Sequence, residues 1–309
     1  VQNIKSMNDI EPFLEKVKEN ESNVYPYRPY YGTKMWYDGK YEVIQSDVAI
    51  KTDGSSPEVF FVYDTPEYKE AMKTLHEWYK KGYIRSDLLS ASDDSSEVKL
   101  GKYVVNQSGW APNGEAAAKI NSGGRDMVIK PMMEPYMTKT KALAAMTGIG
   151  HGSKNVEKAV KMIELLNTNK ELYNLISYGI EGKHYTKDSE GKVEVLKDSG
   201  YVTNSAWMFG NQFNAMLQSG QADDTWEQTK RLNDEALKSP LLGFILDTEP
   251  IKNEISQISA VSAEYGETTF IVNGMGSWED YMKKLDMAGR QKVIQEIQKQ
   301  VNEYWKTRE

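Results

Sequence analysis

Three short stretches place Trp or Tyr beside glycine or proline, the residues that end strands and stiffen loops. They are "RPYYG" at 28–32, "NQSGWAPNG" at 106–114 and "SAWMFGNQF" at 205–213. Rings held in this way suit stacking against flat apolar faces, such as that of a pyranose, and each stack contributes about 1 kcal/mol. The aromatic residue of a single such loop could equally have a structural role and cover the end of a sheet. Three such loops together favour a ligand-binding site.

The predicted ligand-binding residues are aromatic or polar side chains in loops. They are Tyr30, Tyr31, Trp110, Asn113, His151, Glu181, Trp207 and Asn211. Trp110 follows a predicted strand at 102–105, and open α/β sheets bind ligands beyond the carboxyl ends of their strands. We expect Gly109 to let the backbone turn and Pro112 to stiffen the exit, so that the indole is held as a platform.

The signatures of common enzymes are absent from the sequence. Only three His occur, none in a metal-binding pair, and no Gly-x-Ser-x-Gly or Walker motif is present. The adjacent acids Asp93–Asp94 and Asp223–Asp224 read as solvated turns, since neighbouring side chains in an extended chain point apart. Glu181 is the one candidate acid, whereas a glycosidase needs two. We expect no enzyme, no cofactor and no metal.

Composition limits the remaining classes. The chain has 309 residues, enough for two domains, and a net charge of −7, which makes nucleic acid an unfavoured partner. There are no cysteines, which excludes disulfides and thiol chemistry and favours an exported protein. No stretch approaches the roughly 20 apolar residues of a membrane-spanning helix.

Hydrophobic periodicity predicts an α/β protein with a helical C-terminal region. Amphipathic helices are predicted near 6–22, 65–83 and 155–179, the last of them broken near Asn167–Asn169. From Thr225 onwards the sequence reads as helical almost throughout.

Strands and hairpins are predicted between these helices. Hairpins are predicted at "MWYDGKYEV", turning at Asp38–Gly39, and at "HYTKDSEGKVEVL". Strands are predicted in "DMVIKPMM" and "KALAAMTGIG". Strands alternating with helices indicate a sheet covered on its faces.

The order of several motifs resembles one family. "SMNDIEPFLEKVKENESNVYPY", "LGKYVVNQSGWAP", "GIGHGSKNVEKAVKMIELL" and "SPLLGFILDTEPIKNEI" follow one another as in the extracellular solute-binding proteins of bacterial ABC importers. The similarity is to the maltose-binding-like carbohydrate group, in its Gram-positive lipoprotein branch. The individual motifs are loose, and their order and spacing carry the resemblance.

The resemblance implies a type II periplasmic-binding-protein-like fold of two lobes that close on a sugar or oligosaccharide. Trp110 then inherits a stacking role, and "RPYYG" a Pro-Tyr sugar contact. Implied partners are the membrane subunits of an ABC permease, with no nucleic acid and a monomeric state. An extracellular protein anchored to lipid through an N-terminal Cys absent from this chain is implied as well.

The resemblance also implies a division of the chain. Residues 1–141 would form one α/β lobe after the interlobe crossover, 142–238 the return segment of the other lobe, and 239–309 helices that pack back on the first. The chain would begin at the crossover, with the first lobe incomplete. We therefore expect this chain by itself to bind ligand weakly or not at all.

Two other functions remain open on the residues alone. One is a surface interaction module, an adhesin or the partner of a sensor, that uses the acidic helical C-terminus; a large apolar patch without a cleft would favour it. The other is a glycoside hydrolase that uses Glu181 and an unidentified second acid about 5–10 Å away.

Overall fold

Helices and short strands alternate through the first two thirds of the chain, and helices fill the rest. The computed structural model describes residues 3–91, 94–196, 199–201 and 206–308. The α-helices are α1 (Glu11–Asn20), α2 (Pro66–Lys80), α3 (Ser95–Lys99), α4 (Glu115–Asn121), α5 (Lys139–Ala142), α6 (Val156–Thr168), α7 (Lys170–Tyr178), α8 (Thr225–Glu235), α9 (Lys252–Tyr265), α10 (Glu267–Asn273), α11 (Trp278–Met287) and α12 (Arg290–Lys306).

The strands are short. They are β1 (Tyr25–Tyr27), β2 (Tyr41–Gln45), β3 (Val48–Lys51), β4 (Phe60–Phe61), β5 (Tyr103–Val105), β6 (Tyr136–Met137), β7 (Tyr185–Lys187), β8 (Val193–Val195) and β9 (Leu237–Lys238). Short 3-10 helices occur between them, including Gly32–Trp36, Ala206–Met208 and Gln212–Asn214.

The chain forms two compact units. The first unit comprises Val1–Gly109, Lys130–Lys139 and Ala236–Glu309, and the second comprises Trp110–Ile129 and Thr140–Glu235. The division into lobes that the family resemblance implies, at 141 and 238, stays a prediction.

In the first unit, α2 shows how sequence determines a buried helix. The Thr65 hydroxyl caps its first turn by accepting from the Tyr68 N–H at 3.3 Å. Met72, Leu75 and Trp78 recur at helical spacing and are fully buried, each with 0% of its surface exposed. Burying a side chain of this size contributes about 1.5–3 kcal/mol, so the apolar face holds α2 on the core. The predicted helix is confirmed.

Three small sheets occur among the described residues of this unit. β2 and β3 form an antiparallel hairpin extended by β4, while β1 pairs in parallel with β5 and β6 pairs in parallel with β9. A parallel pair cannot be closed by a tight turn. The chain between β1 and β5 accordingly includes the hairpin, α2 and α3.

The second unit has its own smaller core. β7 and β8 form the predicted antiparallel hairpin, and Tyr173, Tyr178, Tyr185 and Val193 are buried against one another. Asn169 separates α6 from α7, because its side chain accepts from the Leu172 N–H at 2.9 Å and so caps the start of α7. The predicted break in the long helix is confirmed.

Several predicted elements are wrong. Asp38–Gly39 does form a tight turn, in which the Lys40 N–H donates to the Tyr37 carbonyl at 3.0 Å, but Met35 and Trp36 before it lie in a 3-10 helix and not in a strand. The hairpin instead pairs β2 with β3 and turns at Ser46 and Asp47, both of which have positive φ. Residues 126–133 and 143–150 form no strand, and Val128 and Met146 are 77% and 75% exposed. An apolar run forms a strand only where a partner strand is available to pair with it. The local sequence pattern does not show whether such a partner exists.

The apolar stripe of α6 also differs from expectation. Val156 and Val160 are about half exposed, and no residue of α6 is buried. Among the described residues, no helix combines the length and the apolar character needed to cross a bilayer.

Candidate functional site

Two of the predicted aromatic loops begin at the same edge of a sheet. β1 and β5 are parallel and in register, with Tyr27 opposite Val105. The Arg28 N–H donates to the Val105 carbonyl at 2.9 Å, one residue beyond the end of β1. Because parallel strands share their carboxyl-terminal edge, "RPYYG" and the first part of "NQSGWAPNG" emerge side by side. This is the place where open α/β sheets bind ligands.

Gln107 joins the two loops. Its side-chain Oε1 accepts from the Tyr31 N–H at 2.6 Å, and its Nε2 donates to the Tyr27 hydroxyl. The residue is only 6% exposed. A buried amide must satisfy its polar atoms, and Gln107 does so by fixing the backbone that carries Tyr31.

Arg28 braces the other tyrosine. Its guanidinium makes a bidentate contact with Asp94, at 2.7 Å between Nε and Oδ2, and donates from Nη1 to the Asn106 Oδ1 at 3.2 Å. Its central carbon lies 4.5 Å from the centre of the Tyr30 ring. The hydrogen bond from Arg28 holds the pKa of the Asp94 carboxyl below its usual value. A guanidinium held in this way orients the ring by a cation–π contact.

Tyr30 and Tyr31 remain accessible although their backbone is held. They are 59% and 36% exposed. Their ring centres lie 4.8 Å apart and the ring planes meet at 68°, an edge-to-face pair. Burial raises the pKa of the Tyr31 hydroxyl, so it stays a neutral hydrogen-bonding group. We call these two rings the Tyr30–Tyr31 platform.

Trp110 and Asn113 open the second unit. Trp110 is 41% exposed, and Pro112 after it is buried. Gly109 does not provide the expected turn: its φ is not positive, and a Cβ there would meet nothing within 4 Å. The left-handed residue is Asn113, with φ 56°. Its side-chain Nδ2 lies 3.4 Å from the Gln228 Oε1.

Glu181 lies on an open groove of the second unit with a volume of about 690 Å³. The groove is lined by Glu171, Asn174, Glu181, Tyr185, Phe213 and Trp226, among others. The Glu181 carboxylate is about half exposed and pairs with the Lys187 ammonium at 2.8 Å. The groove therefore combines aromatic rings with polar groups. The charge of the Glu181 carboxylate is balanced by the ammonium of Lys187.

Trp207, Asn211 and His151, which are also predicted residues of the second unit, do not line that groove. Trp207 is 53% exposed on the 3-10 helix Ala206–Met208. The Asn211 Oδ1 accepts from the Phe213 N–H at 3.2 Å, so it caps the following 3-10 turn. His151 lies in an exposed turn. Ser205, in the third aromatic loop, falls outside the described residues.

Of the two acid pairs, Asp223–Asp224 lies in an exposed turn as predicted, whereas Asp94 does not. Asp93 lies outside the described residues, and Asp94 is the partner of Arg28. Asp223 is well exposed but pairs with Lys192 at 2.9 Å, and Asp224 accepts from the Gln228 side chain at 2.7 Å. Across the part of the chain that is described, no group of three His, Asp or Glu side chains could hold a metal ion.

Sequence reasoning missed the residues that hold the platform, Arg28 and Gln107. Both lie inside the quoted motifs, directly before Pro-Tyr-Tyr and before Ser-Gly-Trp. The available signal was a polar residue within two positions of the end of each of two strands, which places it at a sheet edge.

Known proteins resemble the chain over its full length. A carbohydrate ABC transporter substrate-binding protein of Streptococcus pneumoniae serotype 4 is 30% identical over 320 residues. The alignment covers 100% of this chain and 64% of the relative, so the chain spans less than two thirds of that protein's length. Residues 240–306 match a family model described as a domain of unknown function, DUF3502.

Solved structures agree with this comparison. The N-glycan transport solute-binding protein NgtS of Streptococcus pneumoniae, in complex with Man1GlcNAc, superimposes with a TM-score of 0.84 at 30% identity, over 99% of this chain and 70% of that one. Its complex with Man5GlcNAc gives a TM-score of 0.84 at 30% identity, over 100% and 70% of the two chains. The chain therefore has the predicted type II periplasmic-binding-protein-like α/β fold and belongs to the family of carbohydrate substrate-binding proteins of ABC transporters.

Proposed function

We propose that the protein captures an oligosaccharide outside the membrane and delivers it to the permease subunits of an ABC importer. The observation that carries the proposal is the Tyr30–Tyr31 platform, two accessible rings at the shared carboxyl-terminal edge of β1 and β5. Capture of a sugar requires no catalytic residue. It needs flat apolar surfaces for sugar faces and polar groups for hydroxyls, and both occur there.

The proposed ligands are oligosaccharides of mannose and N-acetylglucosamine. The support is that NgtS, 30% identical to this chain, was crystallised with Man1GlcNAc and with Man5GlcNAc. Each ring of the platform would stack on one sugar face for about 1 kcal/mol. Both together would then strengthen binding roughly 30-fold.

The remaining predicted residues are proposed as further contacts. Trp110 is the strongest of them, since its ring is 41% exposed and lies one residue beyond Gly109, at the end of the β5 loop. Asn113, Glu181, Trp207, Asn211 and His151 follow as polar or aromatic contributors. That two lobes close on the solute, and that the protein acts as an extracellular, lipid-anchored monomer, stay predictions from the family resemblance.

A binding role agrees better with the geometry around Glu181 than hydrolysis does. A general acid of a glycosidase needs an environment that keeps its carboxyl protonated, such as an apolar pocket. Glu181 is instead exposed and paired with Lys187. The relatives are likewise described as binding proteins.

Calorimetric titration of the full-length protein with Man1GlcNAc and Man5GlcNAc tests the proposal. We expect binding, and about a fivefold weaker affinity for each of Tyr30→Ala and Tyr31→Ala. Phe13→Ala is the matched control, because Phe13 is an aromatic residue of α1 that is half exposed and outside the loops. Chromatography after incubation should recover the sugar intact.

Two results would overturn the proposal. One is the absence of heat with a broad panel of oligosaccharides at millimolar concentration. The other is binding that both tyrosine variants leave unchanged. Cleavage of the sugar would favour the hydrolase alternative, and Glu181→Gln would then decide whether this residue is responsible.

A further inference from the structure

A carboxylate from the DUF3502-matching segment lies beneath the platform loop. Glu267 is the first residue of α10, within residues 240–306. Its Oε1 accepts from the Thr33 N–H at 2.7 Å, although the two residues are 234 positions apart. Thr33 is 1% exposed and lies in the 3-10 helix Gly32–Trp36, which begins directly after Tyr31.

The loop is shaped to admit this carboxylate. Gly32 has a φ of +52°, and a Cβ built on it would overlap the Glu267 side-chain oxygens. A larger residue would therefore both strain the backbone and displace the carboxylate. The absence of a side chain at Gly32 thus leaves space for the Glu267 carboxylate. Gly32 is only two positions after Tyr30 in the chain.

The helix that carries Glu267 is itself held rigidly. Phe270 and Ile271 are 1% and 3% exposed, and the Phe270 ring packs edge-to-face on Trp278 at 5.3 Å. The Ile271 carbonyl lies 2.9 Å from the His76 Nδ1 of α2. Gly274 ends α10 so close to His76 that a Cβ would lie 3.0 Å from its Nε2. α10 thus presents Glu267 from a fixed position.

Glu267 lies among phenolic hydroxyls and near a second carboxyl, Asp47. Burial raises the pKa of its carboxyl, hydrogen bonds from Thr33 oppose the shift, and the nearby Asp47 adds to it. Among the described residues, titratable groups that interact with it include the hydroxyls of Tyr27, Tyr37, Tyr68 and Tyr281, whose pKa values burial raises. The Thr33 amide holds the carboxyl, and within the described residues Glu267 forms no ion pair with a cation.

We infer that Glu267 is a positioning residue for ligand binding, and that the DUF3502-matching segment sets the conformation of the Tyr30–Tyr31 platform through it. Gln107 fixes the loop from β5, and Glu267 fixes it from α10. The ligand part of this inference rests on the proposed function. The positional part does not, because it concerns the loop alone.

Hydrogen exchange and calorimetry on the full-length protein separate the two parts. For Glu267→Ala we expect at least tenfold faster amide exchange in residues 28–36, together with at least tenfold weaker binding of Man1GlcNAc. Glu267→Gln keeps an oxygen acceptor for the Thr33 N–H, so both quantities should stay within about threefold of the unmodified protein. Glu279→Ala, in the first turn of α11 and exposed, is the matched control.

Gly32→Ala provides an independent variant with Glu267 left in place. Its Cβ should loosen the same residues and weaken the sugar to a similar degree, which keeps the inference testable if Glu267→Ala does not fold. Unchanged exchange at 28–36 in Glu267→Ala, or faster exchange spread evenly through the first unit, would overturn the inference. If no sugar binds the unmodified protein, the proposed function fails while the exchange result still decides the role of Glu267.

Discussion

At the scale of single residues, the platform depends on side chains that never need to touch a ligand. Gln107 is the clearest example, because one buried amide serves the Tyr31 backbone and the Tyr27 hydroxyl together. Aromatic residues in loops are otherwise free to collapse onto the nearest apolar surface. Hydrogen bonds from the Gln107 side chain to the loop backbone oppose this and leave the rings exposed, so that little ordering is needed when a ligand binds.

Gln107→Ala should cost about 1–3 kcal/mol of unfolding free energy, since it leaves the part-buried Tyr31 N–H and the buried Tyr27 hydroxyl without their amide partner. Urea denaturation of the full-length protein measures it. Ser108→Ala is the control, because Ser108 is exposed and adjacent, and it should change stability little. An unaltered unfolding midpoint for Gln107→Ala would show that water replaces the amide.

The sequence predicts which residues are aromatic and lie in loops, but not what holds them. Local composition predicts Tyr30, Tyr31, Trp110 and Trp207 as loop aromatics, and each is at least a third exposed. Arg28 and Gln107 follow strands and were within reach of the same reasoning. Glu267 was not, because its contact with Thr33 spans 234 residues and no local pattern encodes it. Whether the selected residues contact ligand stays a prediction.

At the scale of elements, helices were predicted better than strands. α2 carries its signal within itself: a capping Thr65, Pro66 in the first turn and a continuous apolar face. A strand also needs a partner, and at 126–133 the structure shows none. The misplaced hairpin has a different cause: Asp38–Gly39 forms a tight turn as its composition predicts, but a 3-10 helix precedes it, and the turn that joins two strands lies at Ser46 and Asp47.

The ion pair between Arg28 and Asp94 links the β1 loop to the start of α3, and it should make stability depend on pH. The Arg28 hydrogen bond lowers the pKa of Asp94 below 3.8 in the folded state. A lowered carboxyl pKa stabilises the fold above the pKa of the unfolded chain, about 3.9, and this contribution is lost as pH falls through the folded value. Protonation therefore releases the brace of Tyr30 in acid.

Melting temperatures of the unmodified protein and Asp94→Asn, measured from pH 6 to pH 2.5, test this expectation. The two should differ by a constant amount above about pH 5 and converge below about pH 4. Asp126→Asn is the comparison, because Asp126 pairs with Lys119 on the surface, and exposed pairs contribute little. If the difference in melting temperature is as large at pH 2.5 as at pH 6, the effect of Asp94 comes from packing and not from its charge.

At the scale of the whole chain, family membership and domain architecture are separate questions. The order of loose motifs was sufficient to predict the family and the type II fold, and both are confirmed by relatives at 30% identity. The lobe boundaries at 141 and 238 rest on the resemblance alone and stay predictions. The compact units change at other points, with Trp110–Ile129 in the second unit and Lys130–Lys139 in the first.

The C-terminal helices bear on the interaction-module alternative. If they were a separate acidic surface for a partner, their apolar residues would pack mainly among themselves. Instead α10 packs on α2 through the His76 contact, and the Gln298 side chain of α12 accepts from the Val59 N–H at 2.9 Å. The segment that matches DUF3502 thus completes the core that carries the platform.

Ile297→Ala tests that integration. Ile297 is fully buried in α12, with 0% of its surface exposed, so the truncation should cost about 2–5 kcal/mol through lost burial and an unfilled cavity. Chemical denaturation followed by tyrosine and tryptophan fluorescence should show the β1 and α2 region unfolding at lower denaturant together with α12. Glu303→Ala, exposed on the same helix, should leave the transition in place.

A variant that unfolds only its C-terminal helices, with amide exchange in β1 and α2 unaffected, would make the segment an independent module. A joint transition would instead mean that a segment over two hundred residues from Tyr30 is part of the same cooperative unit, as its proposed support of the platform requires.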